Sequence, residues 1–215
     1  MSNKKTNIFF DLDGTLIDIQ KRHYKVYEEI VENLGGVLLT QRMYWKLKRN
    51  KSTIKKILRR SRIRNEKQIL LFQKLFKNKI ERIENLKLDI LLKDVVLLLT
   101  VLQKKYDLYL LTLRRSKKNT LTQIEKLGIK KFFKEIIIRQ PKQLDCQYKK
   151  SLLEKLQWEK YDIIVGDSEA DILTANELGL ISVAVLSGIR DRKYLKSLKP
   201  AYILEDINSL PKILT

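Results

Sequence analysis

Cysteine and histidine are nearly absent from this 215-residue chain, which has one of each, Cys146 and His23. A single cysteine excludes a disulfide framework and a cysteine-based zinc cluster. A single histidine excludes a metal site built on paired histidines and leaves Ser-His-Asp catalysis resting on one candidate. Glycine is scarce, seven in all, and neither GxxxxGK(S/T) nor GxGxxG occurs, which argues against a P-loop or dinucleotide fold. The longest apolar run, Val95 to Leu99, is far too short to span a bilayer, so no membrane partner is expected. Asp11 interrupts the apolar run that follows the basic start, so no secretory signal is read there, and the expected location is cytoplasmic. What remains is ordinary globular composition, 44% hydrophobic and 33% charged, which is neither disordered nor collagen-like. The length suits one domain of about 150 residues with a sizeable insertion, or two small domains.

Charge is abundant and uneven. The chain carries 45 Lys+Arg against 25 Asp+Glu, a formal net charge of +20. Gln20 to Lys87 holds 20 basic and 6 acidic residues, and Arg42 to Arg64 holds 11 basic residues and no acid. Such a run reads either as an anion site, for a phosphorylated substrate, a nucleic acid or an acidic membrane face, or as the solvated face of helices. Ile54, Ile57, Leu58 and Ile63 within it sit at helical spacing and predict an amphipathic helix.

The pattern along the chain predicts strands at Asn7–Phe10, Asp107–Thr112, Glu135–Arg139, Tyr161–Gly166, Leu180–Leu186 and Ala201–Leu204. Helices are predicted over Leu91–Leu102, Ser116–Leu127, Lys149–Leu156, Glu169–Leu178 and, briefly, near Ile207–Leu214. Apolar strands alternating with helices of about ten residues indicate an α/β fold, a parallel sheet with helices on both faces. Gln20 to Lys87 is read as all-helical. It interrupts the array after the first strand, as an inserted cap would.

In open parallel sheets ligands bind beyond the carboxyl ends of the strands. The first predicted strand ends in Asp11-Leu12-Asp13-Gly14-Thr15, another in Leu111-Thr112-Leu113-Arg114, and the fourth in Gly166-Asp167-Ser168-Glu169-Ala170-Asp171. Clustered carboxylates near a core repel unless a cation compensates, and a hard divalent ion such as Mg²⁺ is the simplest partner. Asp167 and Asp171 are four apart at a strand-to-helix junction, so both can reach one ion. Taken singly, each aspartate also reads as a turn residue or helix cap.

Asp11-Leu12-Asp13-Gly14-Thr15-Leu16 resembles the DxDGT signature of the haloacid dehalogenase (HAD) superfamily, and the GDSxxD stretch from Gly166 to Asp171 resembles its fourth motif. The resemblance runs across essentially the whole chain, and most members are phosphatases. It implies a Rossmann-like core, residues 1–18 and 88–215, with an inserted all-helical cap domain, residues 19–87. It also implies that Asp11 is the nucleophile forming an aspartyl-phosphate, that Asp13 is the general acid/base, and that the Thr112 hydroxyl holds the transferring phosphoryl. Mg²⁺ is implied at Asp11, Asp13 (through its backbone carbonyl), Asp167 and Asp171. Gly14, Thr15, Leu113 and Arg114 are the implied substrate contacts. The motif lysine is placed at Lys149, with Lys150 and Lys142 as alternatives.

Arg114 and Arg115 replace the small polar residue common in relatives, and each either contacts phosphate or lies on the surface. Tyr44-Trp45 is either a substrate platform or part of the cap interior. Asp13 is missing from dehalogenases and phosphonate-cleaving members, so its presence favours phosphate esters. The leading expectation is a Mg²⁺-dependent phosphomonoester hydrolase acting on a small phosphorylated metabolite. The alternatives are a sugar phosphomutase and a nucleic-acid-binding protein or nucleic-acid-end phosphatase that uses the basic cap.

Overall fold

The computed structural model describes residues 5–139 and 158–214. In it the apolar run Asn7–Phe10 is strand β1, buried along its whole length. After β1 come β2 (Ile17–Asp18) and five helices, α1 (Gln20–Asn33), α2 (Gln41–Arg49), α3 (Ile54–Arg60), α4 (Glu66–Lys79) and α5 (Ile83–Leu86). They are followed by β3 (Ile90–Leu91), α6 (Val95–Leu102), β4 (Asp107–Leu113), α7 (Lys117–Lys126) and β5 (Glu135–Arg139). The described chain resumes with β6 (Ile163–Gly166), α8 (Glu169–Leu178), β7 (Ile181–Val185), α9 (Arg192–Ser197), β8 (Tyr202–Leu204) and a 3-10 turn over Ile207–Lys212. The helix predicted over Lys149–Leu156 lies outside the described residues.

Six strands form one sheet in the order β5-β4-β1-β6-β7-β8, and every neighbouring pair is parallel. β1 alternates its side chains between two apolar layers, as a strand buried on both faces must. Ile8 and Phe10 join Leu99 of α6 and Ile124 of α7 on one face. Phe9 joins Leu111 and, from α8, Ala175 on the other. All six predicted strands are present, with bounds within two residues of expectation.

The helices between β2 and β3 have an apolar cluster of their own, built on Val26, Tyr27, Ile30, Tyr44, Ile57 and Phe72. Tyr44 is buried there and stacks on Tyr27, ring centroids 4.3 Å apart, so it is interior rather than a platform. Trp45 differs from its neighbours: it packs into the large cluster of the sheet. α2 therefore has one aromatic in each core.

Two expectations are corrected. The helix predicted from Leu91 starts only at Val95, because Asp94 takes a left-handed backbone (φ 58°) and Ile90–Leu91 pairs antiparallel with Ile17–Asp18. The basic run is not one amphipathic helix but two. Lys51 turns left-handed (φ 52°) after α2, and the Thr53 hydroxyl then caps α3 by accepting from the Lys56 amide at 3.2 Å. Ile63 lies beyond α3 yet still packs in the helical cluster.

Trp45 is 7% exposed. Trp45→Ala is expected to cost about 3–5 kcal/mol in denaturant unfolding. A loss below about 1 kcal/mol would show that the indole is not part of a packed core.

Candidate active site

The order of the sheet places the site. β4 and β6 flank β1, so the strand order grows outward in both directions from β1 and leaves a crevice at their carboxyl ends. Asp11 follows β1 directly, Thr112 is near the end of β4, and Asp167 follows β6. These residues line one chamber of about 300 Å³ together with Asp13, Leu113, Ser168 and Glu169.

Asp11, Asp167 and Asp171 are all buried, and their carboxylate oxygens lie within 4.8 Å of one another. Three glycines make the crowding possible. A Cβ on Gly14 would stand 2.3 Å from Asp167 Oδ2, one on Gly188 1.8 Å from the same atom, and one on Gly166 2.0 Å from Asp171 Cγ. Gly14 also needs its left-handed backbone (φ 76°) to turn the chain after Asp13. Asp167 accepts from the Ile189 amide, and Asp171 Oδ2 accepts from Ser168 Oγ at 2.7 Å and Ser168 N at 3.1 Å, closing a capping box at the start of α8. Asp171 thus serves both as a cap and as a member of the acidic cluster. Burial, then the like charges of Asp11 and Asp171, push the Asp167 carboxyl well above the usual carboxylate range. An all-oxygen donor set this close and this buried fits a hard cation of the Mg²⁺ kind.

Asp13 sits in a second ionic knot. Arg114 Nη2 donates to its carboxylate at 2.5 Å and Arg22 Nη2 at 2.6 Å. Arg22 Nε lies 3.1 Å from Asp89 Oδ1, and Gln123 Nε2 donates to Asp89 Oδ2 at 2.6 Å. Burial alone would raise the Asp13 pKa, but the Arg114 and Arg22 guanidiniums prevail and hold the carboxyl well below its ordinary range. Asp89 moves the other way, to about 6, because burial outweighs its pairing with Arg22. His23 beside Asp13 is held neutral, first by burial and then by Lys48 and Arg22.

Of the residues expected from sequence, Asp11, Asp13, Thr112, Leu113 and Asp167 line the chamber. Asp171 joins through the acidic cluster. Arg114 is neither a surface residue nor part of the chamber lining: it is 2% exposed and paired with Asp13. Gly14 makes room for Asp167 and its carbonyl accepts from Ser187 Oγ at 2.7 Å, while Thr15 is wholly buried and does not line the chamber. Lys149, Lys150 and Lys142 lie outside the described residues. Sequence reasoning missed Arg22, Asp89, Gly188 and Ile189. Gly188 alone carried a signal, as a glycine just past the end of a predicted strand.

Nine of the eleven cations between Arg42 and Arg64 are exposed, and the other two, Lys48 and Arg49, turn inward. Arg49 Nη2 donates to the Leu186 carbonyl at 2.9 Å, which docks the end of α2 on the loop that also holds Asp167.

Residues 8–185 match the family model of haloacid dehalogenase-like hydrolases, and the chain belongs to that family. It is 25% identical over 209 residues to a phosphoglycolate phosphatase of Synechococcus elongatus, covering 97% of this chain and 96% of that one. A solved haloacid dehalogenase-like hydrolase of Streptococcus pneumoniae superposes with a TM-score of 0.78 at 22% identity, covering 98% of this chain and 99% of the other. A structure titled as a predicted phosphoglycolate phosphatase of Haemophilus somnus gives 0.76 at 21% identity, covering 99% of each chain. The protein is therefore a hydrolase whose homologues are phosphatases. No helix among the described residues is long and apolar enough to cross a membrane.

Two outcomes follow from the acidic cluster. Folding favours the protonated Asp167 carboxyl, so its contribution to stability is complete below the ordinary value of 3.8 and is lost as pH rises through the raised folded value. Without divalent cation, wild type should lose stability relative to Asp167→Asn as pH rises above the ordinary carboxylate range. Adding Mg²⁺ should reverse that difference, and parallel melting curves for the two proteins would disprove it. Gly188→Ala should abolish the stabilisation by Mg²⁺, since a Cβ there overlaps Asp167; an unchanged Mg²⁺-induced rise in melting temperature would count against this packing.

Proposed function

We propose that the protein is a Mg²⁺-dependent phosphomonoester hydrolase that acts through an aspartyl-phosphate on a small phosphorylated metabolite. One observation carries the reading: three buried carboxylates converge within 4.8 Å at the switch point of the sheet, in a chamber that Asp13 and Thr112 share. In this reading residues 1–18 and 88–215 are the catalytic core and residues 19–87 a cap, supported by the separate apolar clusters of the two parts.

Asp11, Asp167, Asp171 and the carbonyl of Asp13 would hold the Mg²⁺. The ion, when bound, neutralises carboxylate and phosphate charge so that the two can approach. Asp11 Oδ attacks phosphorus, forming the P–O bond to the carboxylate as the bond to the leaving oxygen breaks. Asp13 donates a proton to that oxygen and then takes one from the water that cleaves the acyl-phosphate. As found, two guanidiniums keep Asp13 ionised, which suits it to activate water. The proton for its first step therefore enters with the substrate, whose own negative charge opposes Asp13 ionisation. The Thr112 hydroxyl and the motif lysine, Lys149 by resemblance, hold the equatorial phosphoryl oxygens.

The test is phosphate release from a panel of phosphomonoesters including phosphoglycolate, sugar phosphates and nucleotides, with and without Mg²⁺. Release should require the ion, and Asp11→Asn should lose at least about a thousandfold in kcat while still unfolding in one cooperative transition. Hydrolysis that persists in Asp11→Asn would remove the mechanism. Transfer of phosphate within a sugar, with none reaching water, would make the enzyme a mutase.

A further inference from the structure

α6 is apolar on more sides than its packing uses. Val95, Leu98, Leu99 and Leu102, at i, i+3, i+4 and i+7, are buried in the large apolar cluster of the sheet. That stripe accounts for the contact of α6 with the core. Val96, Leu97 and Val101 occupy the remaining face and are 42%, 65% and 51% exposed. The Thr100 hydroxyl among them donates to the Val96 carbonyl at 2.7 Å and is satisfied within the helix. A groove of about 280 Å³ adjoins this ridge, with Leu97, Leu98, Val101 and Pro211 in its lining.

Lysines stand at both ends of the patch. Lys93 precedes α6, and its carbonyl accepts from Asn208 Nδ2 at 3.0 Å, which ties the 3-10 turn to that end; Lys212 follows Pro211 in the same turn. Lys104 and Lys105 follow α6 at the other end, where Lys5 Nζ donates to the Gln103 carbonyl at 3.3 Å. All five lysines are exposed. Of the residues lining the groove Asp94 alone is charged. The other acids beside these segments are engaged: Asp107 with Lys134, Glu205 with Arg192, and Asp206 with the Asn208 amide at 2.9 Å.

We propose that this face of α6 docks the protein on an anionic phospholipid surface. Val96, Leu97 and Val101 enter the boundary between headgroups and acyl chains, and the lysines meet the headgroup phosphates. The inference stands apart from the phosphatase reading, since none of these residues lines the chamber of Asp11 and Asp167. The lack of a spanning helix does not bear on it, because an interfacial helix lies along the bilayer rather than across it. Composition selects the occupant. Protein–protein interfaces are depleted in lysine and enriched in arginine and methionine, and this face has five lysines and neither of the others. A second copy of the chain would set one group of lysines against another. A nucleic acid would engage the lysines but leave the aliphatic ridge without a role. Anionic lipid satisfies both parts, hydrocarbon for the ridge and phosphate for the ammoniums.

The experiment is vesicle flotation of the full chain. With a net charge of +20, attraction to anionic lipid is not by itself informative, so the variants test where on the protein it arises. Wild type should partition to phosphatidylcholine vesicles holding about 30% phosphatidylserine at least about tenfold more than to phosphatidylcholine alone, in about 0.1 M salt. Leu97→Ser/Val101→Ser should lower that partition at least about tenfold, although it removes no charge. Lys104→Gln/Lys105→Gln should lower it more than Arg59→Gln/Arg60→Gln, which takes the same charge from α3. All six positions are exposed, so each variant should still unfold in one cooperative transition. No binding to the anionic vesicles, undiminished binding of Leu97→Ser/Val101→Ser, or equal losses from the two charge-removing pairs would overturn the assignment. So would dimerisation of wild type without lipid that Leu97→Ser/Val101→Ser abolishes, which would give the face to a second copy.

Discussion

Asp11, Asp167 and Asp171 hold like charges inside 4.8 Å of one another, away from bulk water, and much of the neighbouring chain is shaped by that repulsion. A parallel sheet delivers strand ends to one edge, and at its switch point the ends of β1 and β6 are adjacent. Their carboxylates cannot move apart without breaking the sheet. Relief comes from backbone donors at Ile189 and Ser168 and from glycines that remove the side chains which would otherwise crowd them. A hard cation held by the three carboxylates would complete what these donors begin. The site is thus strained electrostatically by the same topology that builds the fold.

The knot around Asp13 solves a different problem, that of joining an inserted set of helices to a sheet through two short crossings. Arg22 lies in the first turn of α1, just after one crossing, and Asp89 just before the other. Arg114 and Gln123 come from the sheet side, at the end of β4 and in α7. A single buried network therefore ties both crossings to the carboxylate proposed to handle the proton. Removing one partner would leave a buried charge uncompensated, the costly way to break such a cluster.

The sheet and most of the acidic cluster were legible because they rest on local signals. Asn7–Phe10, Ile163–Gly166 and the aspartates that follow them are short apolar runs with punctuation, and the motif order carried the family resemblance. Arg22 and Asp89 were not legible, since a helix pattern gives no sign that one of its arginines faces a carboxylate 67 positions away. β2 and β3 are two residues each, too short for any period to register. The basic run misled for a related reason: its apolar spacing is helical on both sides of Lys51, and only the left-handed backbone there separates α2 from α3. Nor does composition show that Lys48 and Arg49 turn inward while nine neighbouring cations stay in water.

Trp45 comes from the helical insertion yet is buried in the apolar layer of the sheet. Any movement that lifts α2 from the core must bring an indole into water as well as break the Arg49 contact with Leu186. The hold of α2 on the core is then partly a hydrophobic one, and its strength follows the temperature dependence of apolar hydration rather than ionic strength alone. Cooling weakens the apolar contact of Trp45 more than the Arg49 hydrogen bond, so the two ties of α2 respond to temperature differently.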